Sequence, residues 1–336
     1  MIRVSQAVRV DDTSQIADAR RAAVTCAVAL RLSESSAGRA ALVATELATN
    51  LIKHAGGGSL LFGEDEARER SMVVLSLDKG RGLTNAEALS DGYSTAGTAG
   101  NGLGAVRRAS ATFDVYALSD RGTTILATIE DEQARQTPPL GAPSRIVVGG
   151  ICIPKPGEEL SGDAWTAGLS REVVTLSVAD GLGHGPAAAT ASTAAVRVVA
   201  ERFEQPLEHM LQDAHGMLRP TRGAAMAVAR IHLTAGRTEF IGVGNIAGTI
   251  VTDDAMRKTV SLSGIVGHEM RKVQSFSYPW LASSVLILQS DGVSANWNAT
   301  KYPGLMQHAP ALIAAVLYRD HCRGTDDATV VVAKAS

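Results

Sequence analysis

Cysteine is scarce in this chain: Cys26, Cys152 and Cys322 are the only three in 336 residues. They form no zinc-type spacing and no even-numbered disulfide framework, so a reducing compartment is expected. None begins a Cys-x₅-Arg phosphate loop, which excludes the thiol phosphatases. Aromatic residues make up only 4%, and the 32 lysines and arginines are offset by 34 aspartates and glutamates. With no basic excess and few stacking rings, nucleic acid is not an expected partner. No apolar stretch approaches the roughly 20 residues of a membrane helix. The N-terminus lacks the basic-then-apolar order of a signal peptide. A cytoplasmic protein without membrane contact is the expectation.

What the chain does have is apolar content, 45%, and a length that suggests two domains. A polar stretch with three prolines, "DEQARQTPPLGAPSR" at 131–145, reads as a linker between residues 1–130 and 146–336. Before it, "TSQIADARRAAVTCAVAL" and "SSAGRAALVATELATNLIKHA" carry helical periodicity. "SLLFG", "MVVLSLD", "TFDVYAL" and "TTILATI" read as strands. After it, strands dominate: "EVVTLSVAD", "AMAVARIHL", "TEFIGVGN", "SSVLILQSD" and "TVVVAKA". "TAGR" is a turn between two of them. "PAAATASTAAVRVVAERF" and "ALIAAVLYRDH" are helical.

In the first half, Glu46 and Asn50 lie four apart and share a helix face, while Val43, Leu47 and Leu51 recur at helical spacing and give the packed side. An acid beside an amide can position a divalent cation and a hydroxyl near a phosphate; a solvated polar face gives the same pattern. "LSLDKGRGL" is a strand ending at Asp78, followed by Gly80 and Gly82. "GTAGNGLGAVRRAS" opens a helix near Leu103, and glycines before a helix N-terminus let backbone amides meet phosphate oxygens. This order, ended by "GTT" in a late strand, resembles the GHKL ATP-binding fold. It is most similar to the anti-sigma-factor serine kinases of the stressosome type (RsbT-like), whose "DGFST…GLG" is echoed by "DGYSTAGTAGNGLG". The resemblance implies an α/β sandwich that binds ATP and Mg²⁺. By it, Asn50 would hold Mg²⁺ and Asp78 would bond the adenine amino group, with Thr123 or Thr124 nearby. Gly80 and Gly82 would shape the adenine loop, Gly100, Gly102 and Gly104 would line the phosphates, and Glu46 would receive the serine proton. One departure is Lys79 and Arg81, where related kinases often carry an uncharged residue and a proline.

In the second half, the strand "VVTLSVAD" stops on a bare carboxylate, Asp180, and runs into the loop "GLGHG". A carboxylate at a buried strand end needs an opposite charge: an arginine, a ligand's metal or a metal held by the protein. Asp163, Asp291, Asp326 and Asp327 also stand at or beside strand ends, next to glycine or another small residue. Oxygen donors of this kind suit Mg²⁺ or Mn²⁺. The spacing "SGD…ADGLGHG…SDG…DDATVVV" resembles the SpoIIE/RsbX branch of the PPM family of metal-dependent serine/threonine phosphatases. That resemblance implies a β-sandwich flanked by helices and a centre of two Mn²⁺ or Mg²⁺ ions. Asp180 would be catalytic and bridge both ions, the Gly181 carbonyl would join them, and Asp163, Asp291 and Asp326 would complete the set. His184, among the glycines, either protonates a leaving oxygen or merely fits the loop. Lys155 reads as a solvated lysine.

The expected architecture is thus two-domain α/β: a GHKL sandwich followed by a PPM-type β-sandwich. The two resemblances together imply a kinase and a phosphatase acting on a STAS-domain anti-sigma-factor antagonist or stressosome scaffold protein, with a downstream regulator as a further partner. The rival is a first domain that binds ATP and captures a partner without transferring phosphate.

Overall fold

The computed structural model describes residues 1–82, 102–131 and 146–336. The expected linker lies almost wholly outside the described residues, as do Gly100 and the "DGYST" stretch. The chain divides into two compact units, Met1–Pro143 with Gly304–Arg319, and Ser144–Pro303 with Asp320–Ser336.

The first unit contains β1 (Ile2–Val10), α1 (Gln15–Ala29), α2 (Glu34–Asn50), β2 (Gly58–Asp65), β3 (Ser71–Leu77), α3 (Gly102–Ala109), β4 (Thr112–Leu118) and β5 (Gly122–Glu130). Its strands lie in the order β1-β2-β3-β5-β4 and pair antiparallel. Helices α1 and α2 bury alanines toward the core, Ala19, Ala23 and Ala27 on one and Ala40, Ala44 and Ala48 on the other. Small residues at helical spacing let the two axes approach closely. Leu60, Phe62, Met72, Val74, Ile125, Ala127 and Ile129, at alternate strand positions, complete that core. Ser33 starts α2 by accepting the Ser36 N–H on its hydroxyl.

Strand β1 was not expected. Only Val4 and Val10 in it are buried, so its apolar alternation is weak.

The segment Gly304–Arg319 falls on the second-domain side of the sequence boundary, yet it packs within the first unit. It holds most of α6 (Pro310–His321), whose residues Pro310 to Leu317 are all buried. Asp114 of β4 fixes the start of this helix. One carboxylate oxygen meets His308 Nδ1 at 2.7 Å and the other accepts the Ala309 N–H at 3.0 Å. Negative charge at a helix N-terminus is stabilising. Further along α6, Arg319 Nη1 donates to Thr124 Oγ1 at 3.3 Å.

The second unit contains β6 (Ile146–Ile153), β7 (Asp163–Leu169), β8 (Val173–Gly181), α4 (Pro186–Arg202), α5 (Leu207–Leu218), β9 (Ala224–His232) and β10 (Arg237–Val243). It continues with β11 (Ala247–Val251), β12 (Met256–Lys258), β13 (Phe276–Pro279), β14 (Val285–Gln289) and β15 (Ala328–Ala335). One sheet runs β13-β10-β9-β8-β7; the strands β12-β11-β14-β15-β6 lie side by side in another. The sheets close on each other where Trp165 of β7 lies over Gly150 of β6; a Cβ at Gly150 would stand 2.7 Å from the indole. Helices α4 and α5 pack on β8, β9 and β10 through Ala195, Val199, Leu211, Leu218, Met226, Val228 and Ile241. Helix α5 was missed in the sequence, although Leu207, Met210, Leu211, Ala214 and Leu218 repeat at helical spacing. None of the helices among the described residues is long and apolar enough to cross a membrane.

Candidate nucleotide and metal sites

In the first unit, α2 carries Glu46 and Asn50 one turn apart, both half-buried. Asn50 is the last residue before a π-helical turn, Leu51–Ala55, and such irregular turns are frequent where a helix serves a site. The start of α3 faces this pair: a Cβ at Gly102 would lie 3.1 Å from Glu46 Oε2 and 3.6 Å from Asn50 Oδ1. The side-chain nitrogen of Asn50 is buried without a hydrogen-bond partner. Gly104 is buried within the first turn of α3.

Asp78 follows β3, and its Oδ1 accepts the Gly80 N–H at 2.8 Å and the Thr123 N–H at 3.1 Å. Among the described residues, Oδ2 receives no hydrogen bond. The loop after Asp78 is held by close backbone approach. A Cβ at Gly82, where φ is +74°, would sit 2.3 Å from the Leu118 carbonyl oxygen. The Arg81 carbonyl accepts the Asp120 N–H at 2.9 Å. Thr123 and Thr124 are both buried, and Thr124 spends its hydroxyl on Arg319. Arg319 went unnoticed in the sequence because its partner lies 195 positions away.

In the second unit, Asp163 opens β7 and stands directly across from Asp180 on β8 in the antiparallel register. Asp163 is 4% exposed. Its Oδ2 accepts the Ser290 hydroxyl at 2.6 Å, while Oδ1 is buried with no partner. Asp291, two residues beyond β14, has Oδ2 held by Asn245 Nδ2 at 2.7 Å. Asp326 is exposed before β15. Its neighbour Asp327 is buried and occupied, accepting the Lys155 N–H at 2.9 Å. Gly181 cannot carry a side chain: a Cβ there would stand 2.1 Å from the Ala188 carbonyl oxygen. Gly183 and Gly185 adopt φ of +91° and +74°, so the loop into α4 depends on glycine. His184 Nδ1 meets Glu158 Oε1 at 2.7 Å.

These carboxylates repel one another. Asp180 is pushed up to about 8, first by burial and then by the charges of Asp163, Asp291, Asp326 and Asp327. Asp163 is raised chiefly by burial, against the pull of the Ser290 and Thr329 hydroxyls, with Asp327 and Asp291 adding to the rise. Burial and then Asp326 raise Asp291, with Arg323 and Asn245 opposing. Among the described residues no three His, Cys, Asp or Glu side chains are gathered into a ready-made cage for an ion. Magnesium does not need one, since it keeps several waters and takes one or two carboxylates directly. The all-oxygen donors, the bare Asp163 Oδ1 and the uncompensated negative charge all fit a hard divalent cation.

A pH dependence follows for the metal-free chain. The folded state holds protons on Asp163, Asp180 and Asp291 that an unfolded carboxylate, near 3.8, releases. The stability these groups contribute is full below about pH 4 and is lost as pH rises through about 8. In chelator, the melting temperature of Asp180→Asn minus that of the parent should therefore grow with pH across this window. A difference that stays flat or shrinks would contradict the repulsion.

The chain matches two family models: the Histidine kinase-like ATPase domain over residues 10–129, and Stage II sporulation protein E (SpoIIE) over residues 170–336. The chain is a histidine kinase-like ATPase domain followed by a SpoIIE phosphatase domain. The fold agrees with both. Among solved structures, one described as "The bacterial stressosome: a modular system that has been adapted to control secondary messenger signaling" is 26% identical. It has a TM-score of 0.53 and covers 56% of this chain and 99% of its own. RsbX in complex with magnesium is 20% identical with a TM-score of 0.50, covering 57% of this chain and 96% of its own. No curated protein matches the chain. Asp180, Asp291 and Asp326 fall within the residues that match SpoIIE, Asp163 lies just before them, and the Glu46–Asn50 face lies within those that match the ATPase domain.

Proposed function

We propose that the chain is a bifunctional partner-switching regulator. The ATPase domain phosphorylates a serine or threonine of a STAS-domain protein, and the SpoIIE domain removes that phosphate. The observation that carries the reading is the facing pair Asp163 and Asp180, with one Asp163 oxygen buried and bare and Asp291 near enough to repel Asp180.

In the phosphatase, Asp180 would hold two ions together with Asp163, Asp291, Asp326 and the Gly181 carbonyl. Two Mn²⁺ or Mg²⁺ ions bound there supply charge neutralisation and an activated water. The glycines at 183 and 185 leave room for a phosphate beside the loop. His184, held at Nδ1 by Glu158, keeps Nε2 for the proton that the leaving seryl oxygen needs.

In the kinase, Asn50 holds the Mg²⁺ of the substrate Mg·ATP, and the backbone of Gly102 and Gly104 lines the phosphates at the α3 N-terminus. Gly100 lies outside the described residues, and its place with them rests on the family resemblance alone. Asp78 offers Oδ2 to the adenine amino group, because Gly80 and Thr123 already fill Oδ1. Gly80, Gly82, Thr123 and Thr124 shape the adenine wall. Glu46 accepts the hydroxyl proton of the target serine.

Asp78→Asn should raise the dissociation constant of a fluorescent ATP analogue about 10- to 100-fold. A hydrogen bond to a charged acceptor contributes roughly 1.5–3 kcal/mol. Unchanged affinity in a titration would remove Asp78 from the pocket. The overall reading is tested by incubating the chain with labelled ATP and a STAS-domain protein. Label that remains on ATP throughout would favour a capture module over a kinase.

A further inference from the structure

Ser290 has no assigned role in either reaction, yet its hydroxyl sits where the carboxylate-bearing strand ends meet. It lies between β14 and Asp291. Its backbone N–H donates to the Thr329 carbonyl at 3.1 Å, and its Oγ accepts the Thr329 N–H at 3.0 Å. A hydroxyl has one proton. With the acceptor side of Oγ turned to the β15 backbone, that proton is directed to Asp163 Oδ2, 2.6 Å away. Ser290 is 1% exposed, so water does not compete for this bond. The result is a relay of fixed geometry from the β15 backbone, through one hydroxyl, to one of the two oxygens of Asp163.

We infer that Ser290 is the positioning residue of the metal centre, holding Asp163 by Oδ2 so that Oδ1 alone is presented as the ligand atom. This rests on the metal-dependent phosphatase reading above. Two observations support it independently of that reading. Among the described residues Oδ1 is buried without a hydrogen-bond partner, the nearby Thr329 hydroxyl included, and leaving a carboxylate oxygen so is costly unless something else supplies its charge. The carboxylate also cannot rotate to satisfy Oδ1 without giving up Ser290. Asn245 does the same for Asp291, holding one oxygen at 2.7 Å from a side chain with no metal-ligand role of its own. Groups behind the ligands set both orientation and basicity, and their loss typically lowers metal affinity 10- to 100-fold. Alanine at 290 frees Asp163 to turn and pair its oxygens elsewhere. Threonine keeps the hydroxyl.

The test measures Mn²⁺ binding to the full metal-free chain by calorimetry, with no turnover involved, for the parent, Ser290→Ala and Ser290→Thr. The melting temperature of each metal-free protein is recorded alongside. The expected result is a dissociation constant for Mn²⁺ about 10- to 100-fold weaker in Ser290→Ala. Ser290→Thr should recover to within a few-fold of the parent. A hydroxyl that merely ties two sheets together would lower the melting temperature of Ser290→Ala and leave Mn²⁺ affinity unchanged, and that pattern overturns the assignment. Equal loss in the alanine and threonine variants also overturns it, since the hydroxyl would then not be what matters. If the parent binds no Mn²⁺ at all, the metal reading itself fails and the positioning role falls with it. Should Ser290→Ala not fold, Asn245→Ala serves as the second variant, because Asn245 orients Asp291 from a half-exposed loop. Its Mn²⁺ affinity should fall likewise, and an unchanged value would overturn positioning from behind the ligands.

Discussion

Asp180→Ala should lower hydrolysis of a phosphoserine substrate about 1,000-fold or more. Stabilisation of transition-state charge by bound metal is worth several kcal/mol, and each 1.36 kcal/mol is tenfold in rate. The substitution removes the carboxylate that faces Asp163 across the β7–β8 ladder. It leaves the glycine-dependent loop that follows untouched. It also removes a strongly repelled charge, so the metal-free variant should melt no lower than the parent. Loss of phosphate release in Mn²⁺ with an intact fold is the expected pair of results. Activity that survives both Asp180→Ala and chelator would exclude a metal-centred reaction.

The second large effect belongs to the ATPase domain. Glu46→Ala should leave ATP affinity within about twofold while phosphoryl transfer to the partner falls about 100- to 10,000-fold, the range expected for a positioned proton acceptor. Asn50→Ala should differ in kind by weakening Mg·ATP binding as well. The separation rests on geometry. Both residues face the start of α3, but only Asn50 carries an amide, whose Oδ1 can ligate a divalent cation while its buried Nδ2 is free to donate to a phosphate or water. Equal loss of binding in both variants would make Glu46 part of the binding wall and not the base.

The elements that sequence periodicity located well are those whose burial is one-sided or continuous. Strands β3, β5, β8 and β9 are buried along nearly their whole length and read as unbroken apolar runs. Helix α2 is marked by Ala40, Val43, Ala44 and Leu47, continued by Leu51 in the turn that follows. The carboxylates were legible for a different reason: aspartate beside glycine at a strand end is a local pattern, visible without knowing what lies opposite. The direct facing of Asp163 and Asp180 was not legible, because register is set by pairing. Ser290 and Asn245 were missed because short polar residues carry no period, and each acts on a carboxylate far away in sequence. The location of α6 shows the same limit. Its apolar run says that the helix is buried on all sides. That its N-terminal end is tied to Asp114, and its Arg319 to Thr124, depends on contacts across about 195 positions.

A phosphatase domain and an ATPase domain on one chain make a cycle only if both act on one residue of one partner. Two sites joined by a short tether share a captured partner at high effective concentration. The most direct measurement is the steady-state phosphorylation of a STAS-domain protein incubated with the chain, ATP, Mg²⁺ and Mn²⁺, with the modified residue mapped by mass spectrometry. With Asp180→Ala the occupancy of that residue should rise well above the level reached with the parent. With Glu46→Ala it should stay unmodified, and adding the parent phosphatase to the Asp180→Ala product should erase the modification. A product that the parent leaves intact, while it hydrolyses a different phosphoprotein, would contradict the shared-substrate cycle.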